Sequence, residues 1–509
     1  MIIATIPILD FLSTKNLIER VRSEVDGFEF RLDYLKEFNL TLIKDLMHFA
    51  KRPIIFTLRK KTETAVASAR GYEVFSRGDP VFKSMDTPDP ASTAGLRGLA
   101  MTRCHEELRL NIIEQLCALK PDYFDIEHDV SIEFVQNCQR KFSTIRWIRS
   151  YHNYLETPKN LKGILESMQH ACFSYYKMAM QARSTVDALR ILQFGQKNAL
   201  TAIAMGEFGQ CTRILSRVIE NDFHFVSVNE RIATAAGQLS VEELKNCYHF
   251  HQHNENTRIY ALLGDPVENS LGHVIHNQYI RENHLNAVYI KLKIRAHELA
   301  EAFLMMQTLP FSGFSVTMPL KEVIVPLLDE MDEEAKNMGA VNTVLKMKNG
   351  FKGFNTDGEG AMCAIKKYLP QLPRKMMVLG SGGAARAIIH AAKKEGMEIV
   401  IFNRTLERAN QLAEHVKGRA YSLDELQQFN KISDAILVNT LPNGVIHFEP
   451  QNFSNEIPVM DCVYLPKETY FLAAARKAGC VCIPGEEMFL EQAKLQQRKW
   501  FSVLNDSIG

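Results

Sequence analysis

The chain lacks a long apolar run, cysteines in metal-binding pairs, and any excess of charge. No uninterrupted apolar stretch reaches the roughly 18 residues that a membrane-crossing helix needs, so no membrane span is expected. The ten cysteines are dispersed, no CxxC pair occurs, and Cys480 and Cys482 are the only close pair. Scattered thiols in a chain this large are expected to be reduced residues of a cytoplasmic protein, not a disulfide frame or a zinc site. Lys+Arg 60 against Asp+Glu 59 leaves a net charge of +1. That balance argues against a protein built to grip nucleic acid or anionic lipid and points to small-molecule partners. The opening MIIATIPILDFL is apolar but has no basic start and meets Asp10 early, so it is expected to be a strand and not a signal or transit peptide. What is present is ordinary globular material: 46% hydrophobic and 23% charged residues in 509. At about 150 residues per domain, that length suggests three or so domains.

Short β-rich runs alternate with helical patterns over the first half. They are Ile2–Pro7, Gly27–Leu32, Pro53–Leu58, Asp122–Glu127, Thr144–Tyr151, Cys172–Ala179, Leu200–Met205 and Asp222–Val228. Amphipathic stretches such as Ser13–Val25 and Leu108–Leu119 lie between most of them. Eight βα units in roughly 250 residues favour a (β/α)8 TIM barrel over a doubly wound sheet. Between Ala65 and Glu106 the chain has no clear period, and is expected to be a lid or an insertion. The polar stretch Asn246–Thr257, with alternating His249, His251 and His253, is expected to be a solvated linker and not a metal site. After it a fresh α/β unit begins at Arg258, with no internal repeat of the first half.

Polar residues gather at the C-terminal ends of the predicted barrel strands, where barrel enzymes place their chemistry. Glu29, Arg31 and Asp33 alternate on the second strand; Arg59 ends the third, with Glu63 just beyond. Asp125 and Glu127 end the fourth, His152 follows the fifth, and Lys177 sits within the sixth. Arg213 and Gln238 follow the seventh and eighth. Lys177 lies in CFSYYKMAM among aromatic and aliphatic neighbours. Such a lysine either packs its stem in the wall with its amine in water, or is desolvated toward the neutral amine that attacks a ketone. His152 could then move a proton beside the imine carbon.

EFRLD, FTLR, FDIE, SYH, YYKMA, MGEFGQCTRIL and TAAGQ, in that order, resemble type I 3-dehydroquinate dehydratase across the whole first half. The resemblance implies that Lys177 forms the Schiff base, His152 is the general acid/base and Glu63 orients the histidine. It implies that Glu29, Arg31, Arg59, Arg213, Thr234 and Gln238 hold the substrate, 3-dehydroquinate. Thr234 stands where serine is common, Ala236 replaces a usual proline, and a glycine pair after Arg59 is missing.

In the second half, GSGGAAR falls between the predicted strand Met376–Leu379 and a helix from Ala385. Glycines there allow a tight turn and close approach of a pyrophosphate to the helix N-terminus. The next strand, Ile399–Phe402, runs into Asn403 and Arg404, and Arg404 lies 24 residues after Gly380. Dinucleotide folds that bind NAD place an acidic residue about there; an arginine suits a 2′-phosphate, so NADP(H) is the expected cofactor.

GDPVENSLGH, SVTMPLKE, GAVNTV, FNTDGEG and EEMFLEQA resemble shikimate dehydrogenase. The resemblance implies a catalytic pair Lys321 and Asp357, with Ser270, Thr317, Asn342, Tyr464 and Gln492 holding 3-dehydroshikimate or shikimate. It implies that Gly380, Gly382, Gly383, Ala384, Asn403, Arg404, Thr405 and Arg408 cradle the cofactor. Gly272 stands where that family often has a second serine. The expected organisation is α/β throughout: a dehydratase barrel over 1–245, a linker over 246–257, and a substrate-binding domain over 258–372. A Rossmann-type NADP-binding domain over 373–484 and a returning helix over 485–509 complete it. The expected function is two consecutive steps of the shikimate pathway, dehydration and then reduction, with no metal. A quinate/shikimate dehydrogenase preferring NAD, or a catalytically silent metabolite sensor, are the alternatives. Arg404 speaks against the first, and the retained Lys177, His152, Lys321 and Asp357 against the second.

Overall fold

The computed structural model describes residues 1–60 and 95–502, apart from 430–433 and a few positions within 443–456. It divides into two compact units, Met1–Thr257 and Arg258–Gly509.

The first unit is a parallel sheet of eight strands: β1 Ile2–Pro7, β2 Gly27–Arg31, β3 Ile54–Thr57, β4 Tyr123–Glu127, β5 Arg146–Asn153, β6 Tyr175–Gln181, β7 Thr201–Met205 and β8 His224–Ser227. Their order, β7-β6-β5-β4-β3-β2-β1-β8, curls the sheet into a nearly closed barrel. The β7–β8 seam is bridged by side chains. Asn221 just before β8 accepts from Ala202 N at 3.0 Å and donates to Ala202 O at 3.1 Å. Its amide thus stands in for a missing stretch of ladder, and Phe223 N adds a bond to Thr201 Oγ1.

Period-2 alternation decides what each strand sends inward. Ile55, Tyr123, Ile148 and Phe225 meet in an apolar plug with Ile3 and Phe223. Two residues further along the same strands come Thr57, Asp125, Ser150 and Ser227, and two further still Arg59, Glu127 and His152. The interior therefore passes from oily to charged along the strand direction. The helices outside start at side chains that take up a free backbone N–H: Asp10, Asn39, Ser131, Asn160 and Ser184 each accept from the residue three positions on. Replacing one such cap by Ala typically costs about 1 kcal/mol.

Three details differ from expectation. β5 runs through Asn153, so His152 lies in the strand and not after it. A helix, Gly95–Cys117, begins inside the stretch expected to be irregular, while Glu63 and the rest of that stretch lie outside the described residues. The stretch Asn246–Thr257 is solvated only in part: Asn246, His251, Gln252, Asn254, Glu255 and Asn256 are exposed, but Tyr248, Phe250, His253 and Thr257 are buried, with Phe250 edge-on against His224 and His253. Polar composition hid it because its burial rests on single aromatic and histidine side chains with no repeating period.

The second unit carries two sheets. The first holds β9 Arg258–Gly264, β10 Ala287–Lys293, β11 Phe311–Val316, β12 Glu330–Met331, β13 Thr343–Met347 and β14 Gly350–Phe354 in the order β10-β9-β11-β13-β14-β12. β13 and β14 form an antiparallel hairpin against an otherwise parallel set. The second is fully parallel: β15 Lys375–Leu379, β16 Glu398–Asn403, β17 Arg419–Ser422, β18 Ala435–Asn439, β19 Val459–Asp461 and β20 Cys482–Ile483. Its order, β17-β16-β15-β18-β19-β20, is the 3-2-1-4-5-6 sequence of a dinucleotide-binding fold. The last helix, Gly485–Phe501, leaves β20 and packs on the first sheet, where Trp500 donates to Val344 O and Gln496 accepts from Ser315. Among the described residues no helix is long and apolar enough to cross a membrane.

Candidate active sites

In the barrel, Lys177 is buried on β6, level with Ser150 of β5. Its Nζ donates to Asp125 Oδ2 at 2.7 Å, lies 3.6 Å from Glu29 Oε1, and sits 4.1 Å above the Phe225 ring. Arg59 donates to the same Asp125 oxygen at 2.9 Å and to Ser150 Oγ at 2.8 Å. Burial alone would raise the Asp125 carboxyl; the charges of Arg59 and Lys177 outweigh it and hold the group well below the ordinary carboxylate range. His152 stacks on Tyr154, and its Nδ1 has no hydrogen-bond partner among the described residues. Burial first, then the Arg59 and Lys177 charges, push its imidazole well below its usual value, so the ring is neutral and able to accept a proton at physiological pH.

The other expected barrel residues sit around this group. Glu29 accepts from Thr57 at 2.9 Å. Arg213 is buried, its Nε unpartnered among the described residues, and burial lowers it to about 10. Gln238 reaches Thr5 at 3.2 Å and accepts from Thr234 N at 3.0 Å. Arg31 is taken up by Asp33, two residues on, at 2.7 Å. Asp125 is the residue sequence reasoning undervalued: it was placed at a strand end with no role, yet both Lys177 and Arg59 converge on it. Thr57 and Ser150 were missed altogether, although each lies two positions before an expected site residue on the same strand face.

In the second unit, Lys321 follows the turn after β11 and forms an ion pair with Asp357, which opens the helix Asp357–Tyr368. Asn342 organises this corner, its amide donating to Asp357 Oδ1 at 2.7 Å, Thr356 Oγ1 at 3.0 Å and Gln492 Oε1 at 3.1 Å. Its carbonyl oxygen accepts from Thr343 Oγ1 and Thr356 N. Ser270 accepts from Gly272 N, and a Cβ at Gly272 would come 3.3 Å from both Ser270 Oγ and Tyr289 Oη. Tyr464 stacks on Phe489 at 4.7 Å. Thr317, just past β11, donates its backbone N–H to Leu263 O. Thr343 and Gln496 complete the network around Asn342 and were not anticipated; the i+1 and i+4 spacings to Asn342 and Gln492 were the available signals.

The glycine turn fits a dinucleotide. Gly380 has φ +110°, which excludes a side chain, and packs on Thr440. A Cβ at Gly382 would meet nothing within 4 Å, and one at Gly383 only Lys321 Cδ at 4.0 Å. The 12-residue helix Gly383–Lys394 starts there with no side-chain cap and no acid in its first turn. Arg404 and Arg408 are exposed, neither with an ion pair among the described residues, and Asn403 donates to Thr405 O.

A barrel with a buried lysine at its charged end, followed by a two-sheet unit with a glycine turn beside a Lys–Asp pair, defines a two-site enzyme of lyase and dehydrogenase type. Family models agree: type I 3-dehydroquinase matches residues 91–255, the shikimate dehydrogenase substrate binding domain 262–344, and shikimate / quinate 5-dehydrogenase 364–452. The shikimate biosynthesis protein AroDE of Chlamydia pneumoniae is 31% identical over 98% of this chain and 95% of its own length. The chloroplastic bifunctional 3-dehydroquinate dehydratase/shikimate dehydrogenase of Arabidopsis thaliana is 31% identical over 92% of this chain and 76% of its own. The shikimate dehydrogenase (NADP(+)) of Aquifex aeolicus is 38% identical over 47% and 89%. The chain belongs to the family of fused type I 3-dehydroquinate dehydratase/shikimate dehydrogenases.

Proposed function

We propose that the two sites work as consecutive steps through the residues assembled above. The observation that carries the first step is Lys177, buried yet hydrogen-bonded to a carboxylate that stays ionised. Once its ammonium has passed a proton to neutral His152, the amine attacks the ketone carbon of 3-dehydroquinate; His152 returns that proton to the carbinolamine hydroxyl, which leaves as water and gives the protonated imine. His152, held neutral, takes the proton from the carbon beside the imine and returns it to the departing hydroxyl. Water then cleaves the imine, freeing 3-dehydroshikimate and the amine. Glu29, Arg31, Arg59, Arg213, Thr234 and Gln238 hold the substrate.

At the second site Gly380, Gly382, Gly383 and Ala384 would cradle the pyrophosphate of NADP(H), with Asn403, Arg404, Thr405 and Arg408 at the 2′-phosphate. The cofactor, when bound, supplies hydride for the ketone carbon. Lys321 gives a proton from Nζ to the ketone oxygen, and Asp357, fixed by Asn342, keeps that ammonium in place. Ser270, Thr317, Tyr464 and Gln492 bind the carboxylate and hydroxyls. The nine described cysteines are free thiols, which accords with a cytoplasmic setting. One cuvette tests the whole reading: 3-dehydroquinate with NADPH should give shikimate and loss of NADPH, and NADH should serve poorly. Borohydride added with 3-dehydroquinate should fix mass on the Lys177 peptide; an unlabelled peptide from an active enzyme would overturn the imine.

A further inference from the structure

From the helix Gly95–Cys117, Arg109 reaches Glu127 at the charged end of the barrel. Its guanidinium is buried, at 8% exposure, and its NH1 donates to Glu127 Oε2 at 3.0 Å. Glu106, one turn back on the same helix, lies 3.8 Å from that nitrogen. Arg109 touches neither Lys177 nor His152 in any hydrogen bond or ion pair among the described residues. It is nonetheless joined to Lys177 through a row of alternating charges. Glu127 Oε1 lies 3.8 Å from Arg59 NH1, Arg59 NH2 donates to Asp125, and Asp125 accepts from Lys177.

Two buried carboxylates, Asp125 and Glu127, therefore compete for one guanidinium, that of Arg59. A buried carboxylate left unpaired is costly enough to draw any nearby cation toward it. Arg109 holds Glu127 by its Oε2 from the other side, so that Oε1, without a hydrogen-bond partner among the described residues, stays 3.8 Å from Arg59, and Arg59 bonds Asp125 and Ser150 instead. We propose that Arg109 is a positioning residue of the dehydratase site: by holding Glu127 it reserves Arg59 for Asp125, and so fixes the carboxylate that orients the Lys177 amine. The inference rests on Lys177 being the reacting amine.

Without Arg109, Glu127 captures Arg59, and Asp125 turns wholly on Lys177. A misplacement of this kind commonly lowers turnover by about ten- to a hundredfold. Arg109→Met should show that fall in dehydratase kcat, with a smaller change in KM, while the dehydrogenase rate of the same chain stays put. Adding Glu127→Gln should restore activity to within a few fold of wild type, because a neutral amide no longer pulls Arg59; loss of packing alone would not be rescued this way. Arg109→Lys, which keeps the charge, should retain more activity than Arg109→Met and serves if the methionine variant fails to fold. Dehydratase turnover within twofold of wild type in Arg109→Met, or a double variant no better than the single, would overturn the proposal. If instead wild-type enzyme shows no borohydride label on Lys177, the imine reading fails, and that result is independent of any Arg109 variant.

Discussion

The two halves handle charge in opposite ways. In the barrel, Lys177, Asp125, Arg59, Glu127 and Arg109 are all buried and follow one another in a row of alternating charge. In the second half the proposed catalytic ion pair, Lys321–Asp357, has a partly exposed lysine, with the Asn342 amide on one side and Gly383 on the other. Covalent chemistry on a ketone needs an amine and a base whose proton affinities are tuned by a dry surround. Hydride reduction needs room for two ligands and a single proton donor, and a half-open corner supplies both.

Because both sites lie on one chain, each is the internal control for the other. The largest effect expected is from Lys177→Met, which should lower dehydratase turnover at least about a thousandfold and leave reduction of 3-dehydroshikimate unchanged; a parallel fall in both rates would break the contrast. Lys321→Met should do the reverse, costing the dehydrogenase about a hundred- to ten-thousandfold with the dehydratase unaffected. A subtler separation comes at Gly383, where a methyl group would meet only Lys321 Cδ, at 4.0 Å. Gly383→Ala should hold or raise the melting temperature, since Gly to Ala in a helix gains about 0.5–1 kcal/mol, yet raise KM for NADPH about tenfold, near 1.4 kcal/mol. An unchanged KM would mean that the pyrophosphate does not lie over this turn.

Acid should separate the halves most mildly. Burial first lowers His152, with His253 pushed down to about 4 and His224 to about 2 in the barrel, and His273 to about 4 and His276 to about 3 in the second unit. Each histidine binds its proton more readily in the unfolded chain. Stability is therefore fully present above about pH 6.5 and falls as pH drops from there toward the folded values. Each such group adds a slope of at most about 1.4 kcal/mol per pH unit. His128 in the barrel is lowered too, by burial first, so with four against two, urea midpoints between pH 6.5 and 4.5, followed by each half's activity, should drop faster for the barrel. Equal slopes would show that the burial of these rings is not what distinguishes the two.

Much of this was legible in the sequence because it is periodic. Alternation along strands located all eight barrel strands and put Glu29, Arg59, Asp125 and Lys177 at one end. The glycine turn was readable because its backbone shape demands a particular residue type. What escaped was relational. Asn221 closes the seam through a side-chain amide that leaves no pattern. Arg109 reads locally as one more cation on a helix, and its meaning comes from Glu127, 18 residues away. The buried stretch around Phe250 looked solvated because isolated aromatic anchors carry no period.

The alternating charges of the barrel also shape how this protein can drift over generations. A row of five ions that adjoin one another tolerates no odd removal, since any single loss strands an opposite charge in a dry interior. Neutral change along Arg109, Glu127, Arg59, Asp125 and Lys177 must therefore arrive as paired exchanges of opposite sign. The outermost couple, Arg109 with Glu127, is the one that can leave together without disturbing the reacting amine. Lineages descended from this chain should keep both members of that couple or neither.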